Sequence, residues 1–173
     1  MAGGIYADEN NAYQIDCTKA EWATNQVNAE YHAAGTCLSD ADFAAETDHF
    51  IYMIEYKNAC IIGASNPEAF NPNDPKNIDK IAHKFYDTLH YMAILKKDKP
   101  VKYVYIAEYP LADASNRKSL RIKIAARLPF KLQEGKPRAL IENFEVLSID
   151  EWNKHPEYSI FPLTPVQQGA AIV

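Results

Sequence analysis

Asp42, Glu55 and Lys57 are residue types that can hold a hard cation and act on a water molecule, provided that folding brings them together. The stretch DHFIYMIEYKNACIIG, residues 48–63, reads as a buried β-strand from Phe50 to Ile54, yet Glu55 and Lys57 follow inside it. Burying a carboxylate and an ammonium is costly unless they pair or serve a purpose. Side chains two apart on a strand share a face about 7 Å apart, so Glu55 and Lys57 point the same way, with Ile51 and Met53 behind them. If Asp48 and His49 form a two-residue turn, Thr47 faces Phe50 and Asp42 falls opposite Glu55, with Cβ atoms about 5 Å apart. Asp-His is not a favoured two-residue turn, and a longer loop would make the pair diagonal. Two opposed carboxylates repel unless one is protonated or a cation lies between them. Magnesium suits such a place, because it takes one or two carboxylates together with water and phosphate oxygens. The plainer alternative is a structural salt bridge at a strand end.

The elements that must position these groups follow from periodicity and caps. Residues 18–34 predict a helix, with Thr18 as N-cap, Glu21 as its box partner and Gly35 past the end. Residues 36–45 and 50–57 predict two strands, and NPEAFNPNDP a loop. The clearest helix starts at Asp74 as cap with Pro75 first, and carries Ile78, Ile81, Ala82, Phe85, Leu89, Met92 and Ala93 on one stripe. Residues 101–109 predict a central strand. In 119–128, Leu120, Ile122 and Ile124 alternate with Arg121 and Lys123, which favours a strand with one basic face. NFEVLSIDEWNKH predicts a strand leading through Ser148 into a short helix, and the proline-bearing tail is expected to be irregular. The order implies a single α/β domain, a mixed central sheet flanked by helices, with its core over about 18–150.

SDADF and IEYK, with twelve residues between Asp42 and Glu55, resemble the PD-(D/E)XK nuclease superfamily. In that family an aspartate opens the motif and Glu-x-Lys follows on the next strand. The resemblance covers roughly residues 18–96, and Ala41 stands where the family usually has proline. A second Glu-x-Lys, EGK at 134–136, lies in an expected turn and shows how common the bare pattern is. The resemblance implies a restriction-endonuclease-like α/β sandwich and metal-dependent hydrolysis of phosphodiesters in nucleic acid, with DNA the expected form. It implies that Asp42, Glu55 and the Tyr56 carbonyl hold Mg²⁺, for which Mn²⁺ would substitute, and that Lys57 acts on the attacking water or on transition-state charge. Family members often add a glutamate from the preceding helix; Glu21 and Glu30 are the candidates, and spacing along the expected helix selects Glu21. A homodimer is left open. The alternatives are a nuclease-fold binding or assembly module without catalysis, and an unrelated α/β protein with a structural ion pair.

Composition bounds these readings. The 173 residues, 47% hydrophobic, suffice for one domain with a substantial core. No apolar run of about eighteen residues predicts a membrane span. MAGGIYADENNAYQ lacks the basic and apolar regions of an export signal, so a cytoplasmic location is expected. Cys17, Cys37 and Cys60 lack metal-ligand spacing and are expected to be reduced. The net charge is −5, yet Arg117, Lys118, Arg121, Lys123 and Arg127 open a basic segment that reaches Arg138. Such asymmetry fits either a phosphate-facing surface or an ordinary solvated face. GIY at residues 4–6 has no companion YIG, and the five histidines form no zinc pattern.

Overall fold

A computed structural model describes residues 3–61 and 70–166. In chain order the elements are β1 (Ile5–Ala7), β2 (Tyr13–Asp16), β3 (Trp22–Thr24), α1 (Val27–Ala33), β4 (Phe43–Glu46) and β5 (Ile51–Asn58). There follow α2 (Pro75–Ile94), β6 (Val101–Glu108), α3 (Ala114–Ala125), β7 (Ile141–Leu147), α4 (Ile149–Lys154), a 3₁₀ turn (Tyr158–Ile160) and β8 (Leu163–Pro165). The main sheet has the order β3-β4-β5-β6-β7, and β1-β2-β8 form a small second sheet. β3 pairs with β4 and β4 with β5 antiparallel, whereas β5 pairs with β6 and β6 with β7 parallel. A parallel pair needs a long crossover, and α2 and α3 supply the two.

Both faces of the main sheet are covered. Met53, Tyr103 and Phe144 pack with Phe85 and Met92 of α2, Leu120 and Ile124 of α3, and Val27 and Tyr31 of α1. On the opposite face Phe43, Tyr52, Ile54, Val104 and Ile106 pack with Trp152 of α4, Tyr158, Phe161, and Ile15 and Leu163 of the small sheet. A strand covered on both sides reads as a continuous apolar run, which is why β5 and β6 are plain in the sequence. The mixed sheet flanked by helices is the expected architecture. The small sheet, by contrast, comes from residues outside 18–150, including part of a tail expected to be irregular.

Three local expectations are corrected. Residues 18–34 are not one helix: Trp22–Thr24 pair with Ala44–Glu46, and helix begins only at Val27. Thr18 donates from its amide and hydroxyl to Asp16 Oδ1 in a turn instead of capping a helix, so long-range pairing overrides local pattern. Gly35 does end α1, at φ 66°. Of residues 36–45, only the last three lie in β4. Residues 119–128 belong largely to α3, started by the Asp113 side chain, which accepts from the Asn116 amide. Leu120 and Ile124, four apart, are buried together, while Ile122 between them is 57% exposed, a burial pattern that a helix produces and a strand does not.

α2 starts as expected, with Asp74 accepting from the Lys76 amide and Pro75 in the first turn. Ser148 caps α4 in a reciprocal box with Glu151. The second Glu-x-Lys lies in a turn, with Gly135 at φ 67°. Residues 66–69 of the expected loop lie outside the described residues; 70–74 carry no regular structure apart from turns. No helix among the described residues is long and apolar enough to cross a membrane.

Candidate functional site

The β4–β5 hairpin sets the site. Phe43 pairs with Ile54 and Glu46 with Ile51, and the Thr47 amide donates to the Phe50 carbonyl at 3.0 Å, closing a two-residue turn at Asp48–His49. Extending that register by one residue puts Asp42 opposite Glu55. Phe43 and Ile54 pack on the small-sheet side, so Asp42 and Glu55, one step along each strand, face the α2 side. Asp42 Oδ2 accepts from the Tyr56 amide at 2.7 Å, taking the place of a strand partner where β4 has not yet begun. Amide and carbonyl of one strand residue point to the same edge, which aims the Tyr56 carbonyl toward Asp42.

The partner of Glu55 is Lys84, from the middle of α2. Its Nζ lies 2.7 Å from both Glu55 oxygens and 3.7 Å from Asp42 Oδ1. The side chains of Glu55 and Lys84 are 7% and 13% exposed. Burial and the neighbouring Asp42 raise the Glu55 carboxyl to about 8, against the pull of Lys84. Burial also raises Asp42, opposed by Lys84 and the Tyr56 amide. Burial acts to lower Lys84, but Glu55 and Asp42 outweigh it and hold the ammonium above its usual value.

Lys84 is held in place by its helix. Thr88 Oγ1 donates to the Lys84 carbonyl at 2.7 Å and accepts from the Ala41 amide at 2.9 Å. Asp87 Oδ2 accepts from the amide and hydroxyl of Ser39, both at 3.0 Å. The irregular lead-in to β4 is thereby fastened to α2 directly before Asp42. Lys57 shares the face of Glu55 but is exposed, with its Nζ 6.0 Å from the centre of the Phe70 ring. Among the described residues it makes no ion pair.

Asp42, Glu55, Lys57, Lys84 and Tyr105 line a recess of about 160 Å³. It adjoins a cleft of about 690 Å³ whose lining includes Asp8, Glu9, Asp40, Lys57, Lys80 and Lys84. Tyr105 pairs with Glu55 across β5–β6, and burial together with the Glu55 charge keeps its hydroxyl protonated. Asp40 is 4% exposed and accepts from Asn28 at 2.9 Å.

Other expected site residues lie elsewhere. Glu21 joins Lys99 at 3.1 Å beside Glu46, at the turn end of β4. That is four residues, or about 13 Å, down the strand from Asp42. The selection of Glu21 assumed a helix where β3 stands, so it does not join the site; Glu30 is exposed on α1. The basic residues are divided. Arg117 is buried and pairs with Glu151 at 2.6 Å, tying α3 to α4. Lys123 donates to Asn73 and Arg127 pairs with Asp79. Lys118 and Arg121 are exposed.

Sequence reasoning missed Lys84, Asp40, Lys80 and Tyr105. Lys84 carried a signal: it falls three residues after Ile81 and four before Thr88, both buried, so a charge interrupts the buried stripe of α2.

Asp42, Glu55 and the Tyr56 carbonyl are hard oxygen donors of the kind magnesium takes, and they converge from neighbouring strands. Among the described residues, no group of three or more His, Cys, Asp or Glu side chains is placed to hold a metal ion. Two carboxylates and a carbonyl, completed by water, is the donor set that remains. The chain matches no family model, no curated protein and no solved structure.

Proposed function

We propose that this protein is a metal-dependent phosphodiesterase acting on nucleic acid, with DNA the expected substrate, on a restriction-endonuclease-like fold of the PD-(D/E)XK kind. The observation that carries the reading is the β4–β5 register, which extended by one residue sets Asp42 opposite Glu55 with Lys57 on the same face, all three lining one recess. The antiparallel β3-β4-β5 followed by helix-linked parallel β6 and β7 supports it as the frame such a site requires.

In this reading Asp42, Glu55 and the Tyr56 carbonyl would hold Mg²⁺ or Mn²⁺. When bound, the ion lowers the pKa of water and stabilises charge developing on phosphate oxygens. Water oxygen forms the new bond to phosphorus and gives up a proton to solvent, the bridging P–O bond breaks, and the leaving oxygen takes a proton from solvent. Lys57, exposed at the cleft, meets a non-bridging phosphate oxygen and offsets its charge in the transition state. The protonated Tyr105 hydroxyl supplies a neutral donor at the recess. Lys118 and Arg121 give phosphate contacts that position the backbone without reading sequence.

The test is cleavage of labelled duplex, single-stranded and branched DNA and of RNA, with and without Mg²⁺ or Mn²⁺. Wild type should cleave at least one substrate only with metal, and Asp42→Asn should abolish this. Absence of cleavage of every substrate by the wild type would remove the enzymatic reading.

The bidentate contact of Lys84 favours a second reading, in which the cluster is a structural ion network in a nuclease-like binding or assembly module. In that case wild type binds nucleic acid without cutting it, and Asp42→Asn lowers stability only.

A further inference from the structure

The position between Asp42 and Glu55 already has a cation of the protein's own. Lys84 Nζ is 2.7 Å from each Glu55 oxygen and 3.7 Å from Asp42 Oδ1. The other Asp42 oxygen is held by the Tyr56 amide, which leaves Oδ1 as the oxygen turned to the shared position. A divalent ion bridging these carboxylates would need at least one oxygen that Lys84 now holds. It would then stand within a few ångströms of the ammonium, and like charges that close repel strongly in a poorly hydrated recess.

We infer that Lys84 and a divalent cation are competing occupants of the Asp42–Glu55 pair, so that metal binding requires the ammonium to leave. The inference rests on the metal-site reading above. The helix does not move to accommodate this: Thr88 and Asp87 fasten α2 to Ala41 and Ser39 one turn from Lys84. The side chain alone swings, on a four-carbon stem with many rotamers. Its destination is in the same cleft, where Asp40 is buried, lies close enough to raise the Lys84 pKa along with Glu55 and Asp42, and accepts only from Asn28 among the described hydrogen bonds. Lys84 is thus a positioning residue for the acidic pair, keeping two opposed carboxylates together until an ion replaces it. Lys57 has no such part, being exposed and two residues further along β5.

Binding of Mn²⁺ alone, followed by loss of its free-ion electron paramagnetic resonance signal, tests this without substrate. Lys84→Met should bind about tenfold or more tightly than wild type, because a repelling charge is gone. Lys57→Met should match wild type, and Lys84→Met/Asp42→Asn should lose the site. Equal or weaker binding by Lys84→Met, with wild-type binding still lost in Asp42→Asn, overturns the competition and leaves the metal site standing. No binding by either wild type or Lys84→Met overturns both. A measurement on wild type covers the case in which Lys84→Met does not fold: reductive methylation, mapped by mass spectrometry. Lys84 should be protected without metal and modified in saturating Mg²⁺; protection that persists in Mg²⁺ overturns the inference.

Discussion

Lys84 of α2 holds both carboxylate oxygens of Glu55 at 2.7 Å, although Lys57 lies only two residues along Glu55's own strand. The charge buried in β5 is therefore answered from across the helix–sheet interface. This gives the two lysines opposite consequences for stability. Lys84→Met leaves Asp42 and Glu55 facing each other with no cation, and loss of one partner of a buried pair costs about 3–5 kcal/mol. Lys57→Met changes an exposed side chain and should stay within about 0.5 kcal/mol. Urea denaturation at about pH 9, above the raised Glu55 value so that its carboxylate is charged, checks both; equal effects would show that the two lysines share the role.

The pH dependence of stability follows from Glu55. Its folded-state carboxyl is raised from 4.5 to about 8, chiefly by burial and then by Asp42. A raised carboxyl contributes stability that is complete below the unfolded value and is lost as pH rises through the folded one. Wild type should therefore weaken between about pH 5 and pH 8, and Glu55→Gln should flatten that part of the curve. Melting temperatures at intervals of one pH unit read this directly. A Glu55→Gln curve parallel to wild type would mean that Glu55 is ionised throughout.

The latch between α2 and the lead-in to β4 has its own signature. Thr88 is fully buried, and its hydroxyl accepts from the Ala41 amide. Thr88→Val keeps the shape and strands that buried amide, at a cost of about 1–3 kcal/mol. Hydrogen exchange at the Ala41 amide should accelerate well beyond the global change. Uniform acceleration across the protein would mean that the bond adds stability without holding Asp42 in place.

Much of the frame could be read in the sequence because it depends on local signals. The Asp74–Pro75 start of α2, the Ser148 box and the two-sided apolar strands β5 and β6 are written within a few neighbouring residues. So was the Asp42–Glu55 opposition, since a tight turn converts spacing into register. Trp22–Thr24 was unreadable because a three-residue strand is made by the partner it meets, here Ala44–Glu46. The alternation of Leu120, Ile122 and Ile124 misled because a helix and a strand both place residues 120 and 124 on one side; only the exposure of Ile122 separates them. Lys84 lies 29 residues from Glu55, and no short motif joins positions so far apart.

The division of the basic segment leads to the last prediction. As a strand, residues 119–128 would have offered one continuous row of cations. As α3, their charges point in several directions, and three of the five are engaged within the protein. Arg117, buried against Glu151, is a fastening between α3 and α4. Arg117→Ala should destabilise the fold by about 1–3 kcal/mol, since it removes a buried guanidinium's hydrogen bonds while Glu151, 40% exposed, keeps contact with water. It should leave the salt dependence of nucleic-acid binding unchanged. Lys118 and Arg121 are exposed, and each phosphate contact removed should lower the slope of log affinity against log salt by about 1 on a duplex. Lys118→Ala/Arg121→Ala should therefore flatten the slope by about 2 with little change in melting temperature. Titration of a labelled duplex at four salt concentrations separates the two variants. An unchanged slope in the double variant would remove Lys118 and Arg121 from the nucleic-acid surface.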